Sequence, residues 1–439
     1  MAVQNKSIAN VQKVLMPVVN FMEKQVHLQS IRRAMLTLLP ITILGSFILV
    51  AINIGSMFPD TAYAEFVAAN EAVLKNMFNF SLGMMGLYTT IFIAYFLATN
   101  YGLYSIGSCI TAVIMFFLVT SGSTDGSIDG TYLDAKGMFT GILVAILSVE
   151  ITRFLNSKGV TIKMPDSVPD MVTKNFELII PLLANAILFT ALRLIVSALS
   201  GKLIPEVILN AMSPFVASLD TVWGVMFLVF MIQLLWWFGI HGDASLSPIF
   251  LPIALQYITE NAQSYEAGQP LPHVFTESVL GNFFLMGGSG LTLGLVIAML
   301  LSKSKRYKSL GRIAIIPGIF GINEPVTFGT PIVYNPLMFI PYVIGPTIIA
   351  FFTYMAFDTG LVPMAFAQSP GYTPWLLQGF LINLSYKSAI LQFAILFVSI
   401  IMYYPFFKIM EKKELNEELE RQKQKENEKS QLDDLEFDF

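Results

Sequence analysis

This chain has one cysteine, three histidines and charge on only 13% of its 439 residues. The single thiol, Cys109, lies in an apolar run with no second cysteine to pair with, which excludes disulfides and thiolate metal clusters and leaves packing as its use. His27, His241 and His273 are far apart, with no HExxH pair and no carboxylate at ligand spacing, so no metal site is expected. No GxxxxGK[ST] loop is present to cradle ATP. The GGSGLT run at residues 287–292 lacks the strand and helix of a dinucleotide fingerprint, and close helix packing is its plainer reading. No cofactor is therefore expected. With a net charge of −4 concentrated in an acidic C-terminal tail, nothing points to nucleic acid.

Apolar residues are abundant: 55% are hydrophobic and the mean hydropathy is +0.66, a composition foreign to soluble domains. Residues 76–124, 278–302, 325–357 and 388–407 carry no charge, and each run reaches the roughly 20 residues that cross a bilayer. The fold expected is an all-α polytopic membrane protein with about ten transmembrane helices, together with re-entrant hairpins and interfacial amphipathic helices. Residues 1–30 read as an amphipathic N-terminus on the membrane surface, with Ile8, Val11, Leu15, Val18, Met22 and Val26 at helical spacing.

Arg32 and Arg33 before the first apolar run place the N-terminus in the cytoplasm. The loops at residues 153–174 and 303–312 hold nine of the nineteen bases outside the tail, and so are cytoplasmic as well. The division expected is a transmembrane half at 31–200, an interfacial linker helix at 201–216, a second transmembrane half at 217–410 and a charged cytoplasmic tail at 411–439. Residues 244–259, with Pro248 and Pro252, read as short and broken, residues 278–302 as a span, and the tail as a frayed, solvated helix.

The working centre is expected at residues 316–341, IPGIFGINEPVTFGTPIVYNPLMFIP, where Glu324 is the only charge. Five prolines and three glycines forbid one straight helix through this segment. Irregular backbone at membrane depth survives only inside protein or beside a wet cavity, and a carboxylate there marks a functional site by default. A second unusual segment, WWFGIHGDASLSP from Trp236 to Pro248, ends a span with His241 and Asp243 between flexible glycines. Two broken segments with ionisable groups match discontinuous helices around a substrate. Neutral polyols suit such a site: Glu324, His241, Asn323 and Asp243 offer hydrogen bonds to hydroxyls, and Trp237 and Trp375 offer rings to sugar faces.

GINEPVTFGTP, WWFGIHGD and the cytoplasmic MPDSVP loop resemble the membrane IIC component of the bacterial sugar phosphotransferase system (PTS), in its lactose/cellobiose/diacetylchitobiose group. The resemblance runs from about residue 5 to 410. It implies a multi-pass homodimer in the bacterial cytoplasmic membrane, with both termini cytoplasmic, the N-terminal half at the dimer contact and the C-terminal half holding a β-linked disaccharide. It also implies that Glu324 and His241 contact the sugar and serve its phosphorylation at the 6-hydroxyl by a phosphocysteine on a soluble IIB protein. Because the tail after Phe407 has no cysteine, IIB, and IIA upstream of it, are expected on separate polypeptides. The competing readings are an ion-coupled secondary sugar transporter with Glu324 as proton carrier, and an autonomous membrane-embedded transferase or hydrolase.

Overall fold

The computed structural model describes residues 17, 21, 24–121, 129–165, 167–370 and 373–436. Among them the chain is helical and contains no strand. The amphipathic face expected over residues 8–26 lies largely outside the described residues.

Among the described residues, six helices are long and apolar enough to cross a membrane: Val26–Gly55, Glu71–Asn100, Ala135–Ser157, Asp170–Ser200, Pro336–Asp358 and Tyr386–Gln424. Ile204–Leu219 and Val222–Trp237 would make a seventh, but they bend by 73° where they meet. Three local features keep the count below the ten expected. Ser105–Thr120 is apolar but has 16 residues, about 24 Å of helix against about 30 Å of hydrocarbon. Gly242–Glu266 is long enough at 25 residues, yet it carries Asp243, Ser245, Gln256, Asn261 and two further acids. The expected span over 278–302 is interrupted: a short helical stretch ends at Phe284, a run of turns follows, and helix resumes at Leu293–Leu300.

The expectation of a broken segment at 244–259 is corrected, because Pro248 and Pro252 both lie inside the continuous helix Gly242–Glu266. A proline removes one i to i−4 hydrogen bond. At Pro248 the carbonyl left over is that of Ala244, and the Ser247 hydroxyl donates to it at 3.0 Å. This helix is largely buried, and its neighbours keep it continuous where its own ladder is interrupted.

The linker region forms the helix Ile204–Leu219, with Pro205 in the first turn where its missing N–H costs nothing. The regions on either side of it share one hydrophobic core, running from Met35 and Leu38 through Trp236 and Phe283 to Tyr403. Polar contacts tie them further: the Gln368 N–H donates to Ser46 Oγ at 2.7 Å, and the Tyr265 hydroxyl donates to Asn53 Oδ1 at 2.6 Å. On the outside, Asp170–Ser200 exposes Leu183, Ile187, Leu194 and Leu199, the apolar surface of a helix set against hydrocarbon.

The tail is also corrected. It continues the last long helix, Tyr386–Glu436, and its first turns are docked rather than solvated. Glu411 and Glu414 are buried. Glu411 Oε1 accepts from Ser302 Oγ at 2.6 Å and from the Lys303 N–H at 2.7 Å. Glu418 Oε1 accepts from Ser304 Oγ at 2.7 Å and from the Arg306 N–H at 3.1 Å, filling the free donors that open the helix Lys305–Ile319.

Candidate functional site

The glutamate segment is broken as its prolines and glycines require. Lys305–Ile319 stops at Phe320, a turn follows, and Glu324 opens the short helix Glu324–Gly329 with Pro325 beside it in the first turn. Asn323 precedes it, almost fully buried, and donates from Nδ2 to the Ser289 carbonyl at 2.7 Å and to Thr327 Oγ1 at 3.2 Å. That bond joins the NEP turn to the GGSG turn at residues 287–290. Gly288 has φ +95°, and any Cβ there would overlap the Asn323 side chain. The close packing expected of GGSGLT therefore occurs, but between two turns at the site.

Opposite Glu324, the helix Val222–Trp237 ends in a turn and His241 caps the next helix, Gly242–Glu266. Gly242 is required because a Cβ would strike the Ile232 carbonyl of the preceding helix. His241 Nδ1 accepts the Ala244 N–H at 3.3 Å. A neutral imidazole in that bond carries its proton on Nε2, and Nε2 faces Glu324 Oε1 at 4.0 Å. The two side chains are 50% and 47% exposed, so both can meet a ligand. Trp236 packs against His241 with ring centroids 4.3 Å apart and donates from Nε1 to Asp243 Oδ2 at 2.8 Å. Ser289 Oγ donates to the same oxygen at 2.6 Å.

These groups surround a cavity of about 320 Å³, at the lower end of the roughly 300–1,000 Å³ range of small-molecule sites. Of the residues singled out in the sequence, His241, Glu324, Asn323, Asp243 and Trp375 line it together. Trp237 does not. It is buried behind the corner, donating from Nε1 to the Asn335 carbonyl at 2.9 Å, with its ring edge-on to Phe339. Trp236 faces the cavity in its place, because a helix turns successive residues about 100° apart and the sequence alone does not fix the rotation.

Sequence reasoning also missed Glu277, Gln368, Ser289 and Gln378, as well as Leu39 and Ile43 from the first helix. Gln368 Nε2 donates to Glu277 Oε2 at 2.7 Å. Thr276, whose hydroxyl caps the Glu277 turn, was the one local signal: a cap followed by an acid before an apolar run. Nothing local marks Leu39 or Ile43, which reach the site across the core.

Among the described residues, three carboxylates (Asp243, Glu277 and Glu324) and one imidazole line the cavity, and no lysine or arginine does. Asp243 Oδ1 and Gln368 Oε1 are buried without a hydrogen-bond donor among the described residues. A site of this kind receives hydroxyl donors and repels anions.

Helical spans enclosing a polar, acceptor-rich cavity made by two interrupted segments define a membrane protein that handles a small neutral polar solute. The family model "Phosphotransferase system, EIIC" matches residues 32–346, and the chain belongs to that family. It is 33% identical to the cellobiose-specific EIIC component of Geobacillus stearothermophilus, covering 92% of this chain and 94% of that protein. It is 30% identical to the oligo-beta-mannoside-specific EIIC component of Bacillus subtilis, covering 94% and 96%. Its fold is similar to the crystal structure of the transporter ChbC, the IIC component of the N,N'-diacetylchitobiose-specific phosphotransferase system. That match has a TM-score of 0.86 at 32% identity, over 93% of this chain and 99% of that one. The protein is thus a multi-pass PTS sugar permease component with cellobiose- and chitobiose-type relatives.

Proposed function

We propose that the cavity binds a β-linked disaccharide, which the protein carries across the cytoplasmic membrane and presents, by its 6-hydroxyl, to a phosphocysteine on a separate IIB protein. The observation that carries this reading is the half-exposed pair of Glu324 and His241, 4.0 Å apart in a cavity that, among the described residues, has three carboxylates and no fixed cation. The names of the relatives support the substrate class, since cellobiose, oligo-β-mannosides and N,N'-diacetylchitobiose are all β-linked.

In this scheme Glu324 accepts a hydrogen bond from the 6-hydroxyl and takes its proton as the O6–P bond forms and the S–P bond breaks, leaving a thiolate on the partner. That is general-base catalysis by a group within reach of the proton it removes. His241 Nε2–H donates to the same hydroxyl oxygen or to the incoming phosphoryl group. Any further cation for the transferring phosphoryl group comes from the partner, because the cavity supplies none. The same lack favours release: a sugar phosphate leaves a site with three carboxylates more readily than the neutral sugar does.

The N-terminal half, 31–200, forms a homodimer contact, 201–216 links it to the sugar-holding half, 217–410, and both termini are cytoplasmic. The test is transport into vesicles with and without phosphorylated IIB. Sugar should accumulate as its 6-phosphate only with the partner present. Accumulation of unmodified sugar driven by a proton gradient, or phosphorylation by the purified chain alone, would overturn the reading.

A further inference from the structure

The helix Lys305–Ile319 delivers Glu324 to the cavity, and its opposite end carries the densest positive charge on the protein. Tyr307, Gly311, Ala314 and Gly318 form its buried face. Lys305, Lys308 and Arg312, spaced three and four apart, share the exposed face, with Lys303 just before it. Although the acidic tail packs directly against this region, among the described residues none of these four cations is in an ion pair, while Arg306 pairs with Glu414 at 2.7 Å. The tail's carboxylates are used elsewhere: Glu411 and Glu418 bind backbone N–H groups and serine hydroxyls of the loop. They hold the loop in shape and offset part of its charge, Glu418 being close enough to Lys305 to interact with it, but the five bases of residues 303–312 outnumber them.

Beside this face is a groove of about 530 Å³ between the tail and residues 331–337, lined by Arg306, Tyr334, Asn335, Lys413 and Glu417 among others. Its wall is joined to the sugar site: the Tyr334 N–H donates to the Trp237 carbonyl at 3.0 Å, and Trp237 Nε1 donates to the Asn335 carbonyl. Trp237 adjoins Trp236, which packs on His241.

We propose that the basic face of Lys303, Lys305, Lys308 and Arg312, with the groove beside it, is the docking surface for the soluble phosphoryl-donor protein, which meets it with an acidic face around its phosphorylated residue. The inference rests on the reading that such a donor acts on this chain. Anionic lipid is the other occupant a basic face can have, and the groove argues against it: its wall is tied through Tyr334 and Trp237 to the sugar site, a connection that a phosphoryl donor needs and a lipid headgroup does not.

The test uses the full chain in bilayers of zwitterionic lipid, with saturating sugar and a titration of phosphorylated donor. Lys305→Glu/Lys308→Glu should raise the KM for the donor about 10-fold or more at low salt, the lower end of what steering contributes, and leave sugar affinity unchanged. Lys305→Arg/Lys308→Arg should behave as wild type, and the difference should shrink above about 0.15 M salt as screening shortens to about 8 Å. An unchanged KM for the donor in the double Glu variant, while wild type phosphorylates sugar, would refute the docking surface. A defect seen only in bilayers containing anionic lipid would assign the face to the membrane and refute it equally. Failure of wild-type protein to phosphorylate sugar with any donor would instead strike the functional reading itself.

Discussion

Replacing Glu324 by glutamine preserves size and part of the hydrogen bonding but removes the base, which separates binding from chemistry. The pair with His241 spans 4.0 Å between half-exposed side chains, where even two full unit charges in a water-like medium would attract by only about 1 kcal/mol. Folding stability should therefore change little. A hydrogen bond to a charged acceptor exceeds a neutral one by about 1 kcal/mol, so sugar affinity should fall roughly 5-fold. A positioned general base contributes about 10²- to 10⁴-fold in rate, or about 3–5 kcal/mol of transition-state stabilisation. The two effects are thus predicted to differ by more than an order of magnitude. Sugar binding by calorimetry on purified protein, and partner-dependent phosphorylation at saturating sugar, read them separately. If Glu324→Gln phosphorylates within about 2-fold of wild type when saturated, Glu324 is structural and the reasoning about the cavity fails.

The neighbouring tryptophans should separate in the same assays: Trp236→Phe loses the donor to Asp243 and weakens sugar binding several-fold, whereas Trp237→Phe leaves affinity nearly unchanged. His241→Ala should weaken binding itself, measured as a raised Kd before any effect at saturation. His273, in the loop after the helix Gly242–Glu266, is pushed down by burial, but its bonds to Asp220 at 2.8 Å and Glu260 at 2.7 Å outweigh that and raise its pKa above the ordinary value. A raised folded-state pKa gives stability that is full below about pH 6.5 and lost as pH rises through the folded value. The Tm should accordingly fall with rising pH across that window, and His273→Gln should remove this dependence. Single cysteines placed at Lys158 and Lys308 in a Cys109→Ala background should label from the cytoplasmic side only, and labelling from outside intact cells would reverse the orientation.

What composition and pattern settle here is what depends on local chemistry alone. A charge-poor, apolar chain without cysteine pairs or phosphate loops has to be a helical membrane protein. Prolines and glycines around one carboxylate have to break a helix wherever it sits, which is why Glu324, Asn323 and His241 are legible without coordinates. Pattern fails where the neighbours decide. Pro248 and Pro252 look like breaks in the sequence, but surrounding helices and the Ser247 hydroxyl keep Gly242–Glu266 continuous. The tail looks solvated because its charges alternate, and it is docked because loop N–H groups 108 and 112 residues away donate to its carboxylates, which cap them. Which tryptophan faces the cavity, whether Glu277 lines it, and that Leu39 and Ile43 close it from the first helix depend on helix rotation and on contacts hundreds of residues apart. Side-chain type specifies what a residue can do, but only packing of the whole chain decides what it is set beside.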